Sequence, residues 1–329
     1  MRERLMATLD RETVDRVPCV SPGQTGIADL QKAMDAEWPE AHRNAELMTK
    51  LAMASVTLGK QEGTRVPFED TMDVSAFGAD VEMGAPLRYP YVRIHPLAGQ
   101  DAIDRTTVPD PRKDGRAPVV LESVGRLRRE EPPVLCAVTA PFTLACFLHG
   151  ERDTLMDLIV DPPILNKIIL LAEQWAISFI HEAVKEGADV IVLEDTWASG
   201  EILTRELYQN YALPGETKLA QLVHEMGARS ILHQCGSPGR NLEIMANSGV
   251  DGITIHQSVD VSEAKKMLSG RCAIVGNLDP RALVQLVPDE IRALGAQCVE
   301  KGIDVLAPSC GLDSLTPLRN LRAIAEVVN

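Results

Sequence analysis

The 329-residue sequence predicts a (β/α)8 TIM barrel, and three observations carry the prediction. From residue 187 onward one cadence occurs five times: a helical stretch ends at a Gly, a polar step follows, and a short apolar run then gives way to polar residues. Three further apolar runs upstream bring the strand count to eight. No Gly-rich phosphate-binding turn follows the first of them, which sets aside a doubly wound open sheet. The chain 1–329 is expected to form one domain, with an N-terminal helical extension and an inserted hairpin or loop.

In chain order, "RVPCV" (16–20), "TRVPF" (64–68) and "PVLCAVT" (133–139) are the first three strand candidates, separated by enough helical or irregular sequence for crossovers. The other five lie in "EGADVIVLED", "MGARSILHQCG", "SGVDGITIHQ", "SGRCAIVGNLD" and "KGIDVLAPSCG". Continuous Val/Ile/Leu runs suit parallel strands buried on both faces. The Gly before each suits a helix C-cap, where a left-handed residue costs Gly least. The helix before the fourth strand is the clearest. Asp161 is its N-cap, Pro162 opens its first turn, Leu165, Ile168, Ala172, Trp175 and Phe179 share a stripe, and Gly187 ends it. Between Pro86 and Pro118 the chain reads as Pro-rich extended pieces, an insertion over the barrel.

A formal charge of -14 repels phosphate backbones and anionic lipid headgroups, so neither nucleic acid nor membrane is an expected partner. The N-terminus "MRERLMATLDRETVDRVP" lacks the apolar core of a signal peptide, and the run "VLCAVTAPFTLACFLHG" is interrupted by Pro and Thr. A cytoplasmic protein is expected. The seven cysteines sit mostly in apolar runs, as reduced thiols do.

In a parallel barrel, functional groups gather at the C-terminal ends of the strands. Those ends carry Glu194 and Asp195, His233 and Cys235, His256 and Gln257, Asn277 and Asp279, and Cys310. Singly, each His or Cys would read as a packed core residue. Together, His233, Cys235 and Cys310 read as a zinc set with one open position, since thiolate and imidazole are zinc donors. The 75 residues between Cys235 and Cys310 exclude a zinc-finger knuckle, whereas a barrel mouth can join them. The cysteines at 19, 136, 146, 272 and 298 are expected to be buried thiols outside this set. Zinc with two thiolates and one imidazole is formally neutral, better suited to holding a thiol as thiolate than to hydrolysis.

"HQCG" (233–236) followed by "APSCGLDSLTPLRNLRAIAE" resembles the zinc-binding signature of the methyltransferase branch of the uroporphyrinogen decarboxylase superfamily, the corrinoid-dependent methylcobamide:coenzyme M methyltransferases. Weaker likenesses run through most of the chain, among them "DVSAFGADVEMG" (73–84), "ELYQNYALPGETKLAQLVH" (206–224) and "IVGNLDP" (274–280). The resemblance implies a barrel with the site in its mouth and His233, Cys235 and Cys310 as zinc ligands. It also implies methyl transfer between a small thiol such as coenzyme M and a methylcobamide carried by a separate corrinoid-binding protein. No Asp-x-His-x-x-Gly loop is present to ligate cobalt in this chain itself.

Relatives commonly carry an acidic pair after the sixth strand, where this chain has His256 and Gln257. His256 stands as a fourth ligand, a shaper of substrate choice or a hydrogen-bonded structural residue. Glu194, with Asp195, is expected to orient substrate or a ligand imidazole. Glu69 and Asp70 are weaker candidates, with solvated loop acids the favoured reading. The reverse reaction, methyl transfer from a phenyl ether or methylamine-type donor to the corrinoid, stays open. A cationic pocket after the first two strands would favour a sulfonate thiol, and an aromatic lining an ether; the 4% aromatic content points to the thiol. Decarboxylation is the remaining alternative, disfavoured because "SPGQTG" after the first strand holds no arginine for porphyrin carboxylates.

Overall fold

The computed structural model describes residues 1–328, except for the side chain of Arg240. Its main sheet is parallel throughout and holds β1 (Thr64–Val66), β4 (Val134–Thr139), β5 (Val190–Glu194), β6 (Arg229–His233), β7 (Gly252–Thr254), β8 (Ala273–Leu278) and β9 (Val305–Pro308), side by side in that order. The eighth position is filled by Pro18–Val20. On one side, Val20 N donates to Leu306 O at 3.2 Å and Leu306 N to Pro18 O at 2.9 Å; on the other, Glu62 N donates to Cys19 O at 2.8 Å. These contacts close the barrel at the run expected as the first strand. β1 ends before Pro67, which has no N–H to continue the ladder.

Alternation along each strand sorts the side chains. Val190 and Val192 of β5 and Ile231 of β6 point into the barrel interior, while Ile191, Leu193 and Leu232 face the surrounding helices. The N-terminal helix Arg2–Leu9 inserts Leu5 and Leu9 into the lower end of this interior. Arg2 and Asp10 tether that helix by ion pairs to Asp189 (3.1 Å) and Arg229 (2.5 Å). The helical extension is therefore a plug for the barrel floor.

The Gly cadence has a second function at the same end. In "GAD", "GVD" and "GID" the aspartate accepts a backbone N–H from the preceding strand: Asp189 from Val134 at 2.8 Å, Asp251 from Ser230 at 2.7 Å and Asp304 from Ile274 at 2.9 Å. Each carboxylate thus pairs a strand-start donor that the ladder leaves unmatched. Polar groups fix the floor. The upper rim is left for chemistry.

The helix Pro162–Glu186 matches expectation. Asp161 accepts from Ile164 N, Gly187 is left-handed at φ +117°, and all five stripe residues are buried. Among the described residues it is also the one helix long and apolar enough, by length and composition, to cross a membrane, exceeding the run singled out in the sequence. Its buried stripe packs on the core, with Trp175 Nε1 donating to Asp73 Oδ1 at 2.7 Å.

The insertion begins earlier than its prolines suggest. β2 (Asp80–Glu82) lies upstream of Pro86 and pairs antiparallel with β3 (Tyr91–Ile94), and a helix, Gln100–Arg105, follows within the stretch read as extended. The turn between the two strands carries Tyr89 back to the barrel, where its hydroxyl donates to Leu312 O at 2.6 Å.

Leu5→Ala is expected to lower unfolding stability by about 2–5 kcal/mol, because it opens a cavity in the plug, while Glu3→Ala, on the exposed face of the same helix, shifts it by less than about 0.5 kcal/mol. Urea denaturation of the two variants measures both.

Candidate functional site

Strands β6 and β9 carry the three zinc-type donors to one place. His233 is the last residue of β6, and β6 alternation turns it inward. Its Nδ1 lies 2.9 Å from Thr254 Oγ1 on β7. With Nδ1–H donating to that hydroxyl, the Nε2 lone pair is free to bind, and Nε2 stands 3.7 Å from Cys310 Sγ. Burial holds the imidazole pKa down to about 4, with Arg65 adding to the effect, so His233 is neutral at physiological pH.

Cys235 and Cys310 reach the same point from loops that follow β6 and β9. Their sulfurs are 3.1 Å apart, well beyond the ~2.05 Å of a disulfide. That distance allows one thiol to donate to the other. Hydrogen bonding from the Cys310 thiol pulls Cys235 down to about 7, and the same contact, together with burial, pushes Cys310 upward. Gly236, at φ +89°, has a left-handed backbone that an L side chain would strain, and Gly311 packs against the side chain of Gln24. The remaining five cysteines are buried thiols elsewhere.

A cavity of roughly 470 Å³ opens above the sulfurs. Besides Cys235 and Cys310, its walls include Asp70, Tyr89, His256 and Arg281. His256 therefore shares the cavity with the cysteines. Its Nδ1 is 2.8 Å from Ser258 Oγ, however, and among the described residues no contact joins it to either sulfur. Gln257 braces the site by accepting from Ser309 Oγ at 2.6 Å, next to Cys310.

Glu194, expected to orient substrate or a ligand imidazole, does not line the cavity. It is the register partner of His233 and points inward with it, but its carboxylate is buried below the cavity, 2.5 Å from Arg65 Nη2. Burial pushes its pKa up to about 8 against the pull of Arg65. Asp195, one residue on, points outward. Its Oδ1 accepts from Thr143 N at 3.1 Å and Oγ1 at 2.6 Å, within a buried group that includes Glu216 and Tyr208. Asn277 is structural as well, donating to the carbonyls of His256 (3.1 Å) and Val259 (2.8 Å).

The pair Glu69–Asp70 also departs from the reading of solvated loop acids. Glu69 is buried against Arg116 at 2.6 Å and is held down to about 2, chiefly by Arg116 against the cost of burial. Asp70 faces the cavity. Among the described residues its carboxylate has no ion-pair partner, and burial, with Glu69 beside it, raises it to about 6. Sequence reasoning missed Gln24, Tyr89, Arg281 and Asp313 in the lining. Gln24 lies in the "SPGQTG" loop noted only for its lack of cations, and Tyr89 lies in the insertion; nothing local marks Arg281.

Comparison with known proteins places this arrangement. The chain is 32% identical over 330 residues to the methylcobamide:CoM methyltransferase MtaA of Methanosarcina barkeri, covering 98% of this chain and 96% of that protein. It is 25% identical over 347 residues to a uroporphyrinogen decarboxylase of Actinobacillus succinogenes, covering 99% and 96%. A solved methyltransferase from Methanosarcina mazei superposes with a TM-score of 0.95 at 33% identity, covering 99% of this chain and 97% of that one. The family model for uroporphyrinogen decarboxylase (URO-D) matches residues 1–329. A closed parallel barrel with a thiol pair at its mouth and relatives along its whole length make the chain a member of the uroporphyrinogen decarboxylase (URO-D) family.

Proposed function

We propose that this chain is a zinc-dependent methyltransferase that moves a methyl group from a methylcobamide, carried on a separate corrinoid protein, to a small thiol of the coenzyme M type. The observation that carries the reading is the meeting of Cys235, Cys310 and His233 Nε2, at 3.1 and 3.7 Å, on the floor of a cavity reachable from outside. The named activity of MtaA, methylcobamide:CoM methyl transfer, supports it.

The donor set fits zinc in three respects. Two sulfurs and an imidazole are zinc donors, the imidazole is neutral with Nδ1 engaged by Thr254, and the pair already holds one proton fewer than two free thiols above about pH 7. Zinc bound there supplies the acidity that converts a thiol of free pKa about 8.5 into thiolate at neutral pH. The cavity holds the rest of the thiol beside the sulfurs, and its open side admits the corrinoid. The substrate sulfur then forms a bond to the methyl carbon while the carbon–cobalt bond breaks, its electron pair remaining on cobalt. Glu194 acts below this floor as a positioning residue, through Arg65 and the setting of His233, while His256 shapes the wall that faces substrate.

The lining favours a thiol over a phenyl methyl ether. Tyr89 supplies the one aromatic ring among the described lining residues, and its hydroxyl is tied to the Leu312 carbonyl. A porphyrinogen decarboxylase reading fits worse. Asp70, Asp279 and Asp313 in the walls would repel a polycarboxylate.

Two measurements test the proposal. Purified protein should hold about one zinc per chain, and Cys310→Ala and His233→Ala should each lose most of it while keeping the wild-type circular dichroism spectrum; full retention by both would refute the assignment. Zinc binding to metal-free protein should also release protons in a pH-dependent number. Above the Cys235 value of about 7 only Cys310 still carries its proton, so about one proton should leave per zinc at about pH 8. Near pH 6 both thiols are protonated and the number should rise toward about two, with none from His233, which is neutral at either pH. Calorimetric titration in buffers of different ionisation enthalpy gives these counts.

A further inference from the structure

The cavity walls carry an uneven charge. Asp70, Asp279 and Asp313 line it, and Glu201 lies beside Gly236 at its edge, while Arg281 is the one cation lining it among the described residues. Two of the lining carboxylates have local duties: Asp279 Oδ1 accepts from Arg281 N at 2.9 Å, and Asp313 Oδ1 accepts from Leu315 N at 2.8 Å. The buried arginines near the site are committed, Arg65 to Glu194 and Arg116 to Glu69. Arg281 is not. Its Nε is 3.7 Å from Asp279 Oδ1, beyond hydrogen-bond distance, and its side chain is 78% exposed.

We propose that Arg281 is the specificity-determining residue of this site, binding the anionic end of a short thiol whose sulfur lies beside Cys235 and Cys310. The inference rests on the thiol reading above and adds the residue that selects the acceptor. An exposed ion pair at 3.7 Å contributes little, so Arg281 can exchange Asp279 for a substrate anion at small cost. A guanidinium also offers paired donors suited to a sulfonate or carboxylate. Asp70 and Asp313 leave Arg281 as the one lining group among the described residues that attracts an anion, and Asp279 beside it is the carboxylate that a substrate anion replaces. The cation thus belongs to the segment after β8, not to the first two strands where the sequence analysis looked for it.

The test uses the zinc-loaded full chain, methylcobalamin as methyl donor and three thiols of similar length: 2-mercaptoethanesulfonate, 2-mercaptoethanol and cysteamine. Wild type should show kcat/KM for the sulfonate at least about tenfold above that for the neutral thiol, as expected for a charged hydrogen bond. In Arg281→Gln that ratio should fall to within about threefold, through a higher KM for the sulfonate, and Arg281→Lys should recover part of it. Arg281→Glu should shift the preference toward cysteamine. An unaltered sulfonate preference in Arg281→Gln, or a wild-type preference for cysteamine, overturns the Arg281 assignment and leaves thiol methylation standing. Failure of wild type to methylate any of the three overturns the thiol reading and this inference with it.

Discussion

Closure of the parallel barrel is the constraint on which the site depends. Every strand in the main sheet runs the same way, so all the strand ends that carry function open on one rim. Cys235 and Cys310 are 75 residues apart in sequence, yet their sulfurs come within 3.1 Å because β6 and β9 both deliver their following loops to that rim. Closure rests on few bonds. Pro18–Val20 joins β9 on one side and Glu62 on the other through three backbone hydrogen bonds, and the same segment continues into Gln24, which packs on Gly311 beside Cys310. The bond pattern that closes the sheet therefore also fixes the backbone of one thiol loop. The leucines of the N-terminal helix stabilise it from below.

Within the barrel, the two-residue period of the strands divides polar strand ends into layers. Glu194 and His233 are register partners and both point inward, which puts a carboxylate beside the histidine; Asp195 is out of phase and enters a separate buried cluster with Glu216. Arg65 meets Glu194 from β1, so the layer beneath the cavity is a closed arginine–glutamate contact whose two members are each 1% exposed. Such a pair is costly to form and costly to break by removing one partner. Its positive member also disfavours a proton on His233, keeping the imidazole available as a neutral donor.

The sequence reveals the elements whose signals are local. The caps and stripe of Pro162–Glu186 and the strand runs before each polar end follow from spacing, and the structure has both; of the proposed donors, Cys310 lies 3.1 Å from the Cys235 sulfur and 3.7 Å from His233 Nε2. The insertion was legible only in outline, since pairing of Asp80–Glu82 with Tyr91–Ile94 depends on a turn and not on the prolines that drew attention. What a strand-end acid does was not legible, because its partner is remote. Glu194 is hydrogen-bonded to Arg65, 129 residues away, and Glu69 to Arg116 at a separation of 47. Asp70 has no such partner among the described residues, so a residue adjacent in sequence to Glu69 faces the cavity while Glu69 does not.

The contrast between neighbours suggests how such a site holds charge without losing stability. A carboxylate buried without a partner is driven toward its neutral form, and the rise of Asp70 to about 6 is that effect beside an already ionised Glu69. Asp279 and Asp313 avoid the same penalty by accepting backbone N–H groups of their own turns. The walls can therefore remain acidic while the turns that build them are stabilised by the same carboxylates. Against that background a single exposed guanidinium carries more discriminating power than it would on a mixed surface, because it is the one positive group lining the cavity among the described residues. The floor needs no such contrast: the contact between the two sulfurs lowers the Cys235 thiol pKa and burial keeps the His233 imidazole neutral, both of which bring the group toward the protonation state in which a soft cation would bind it.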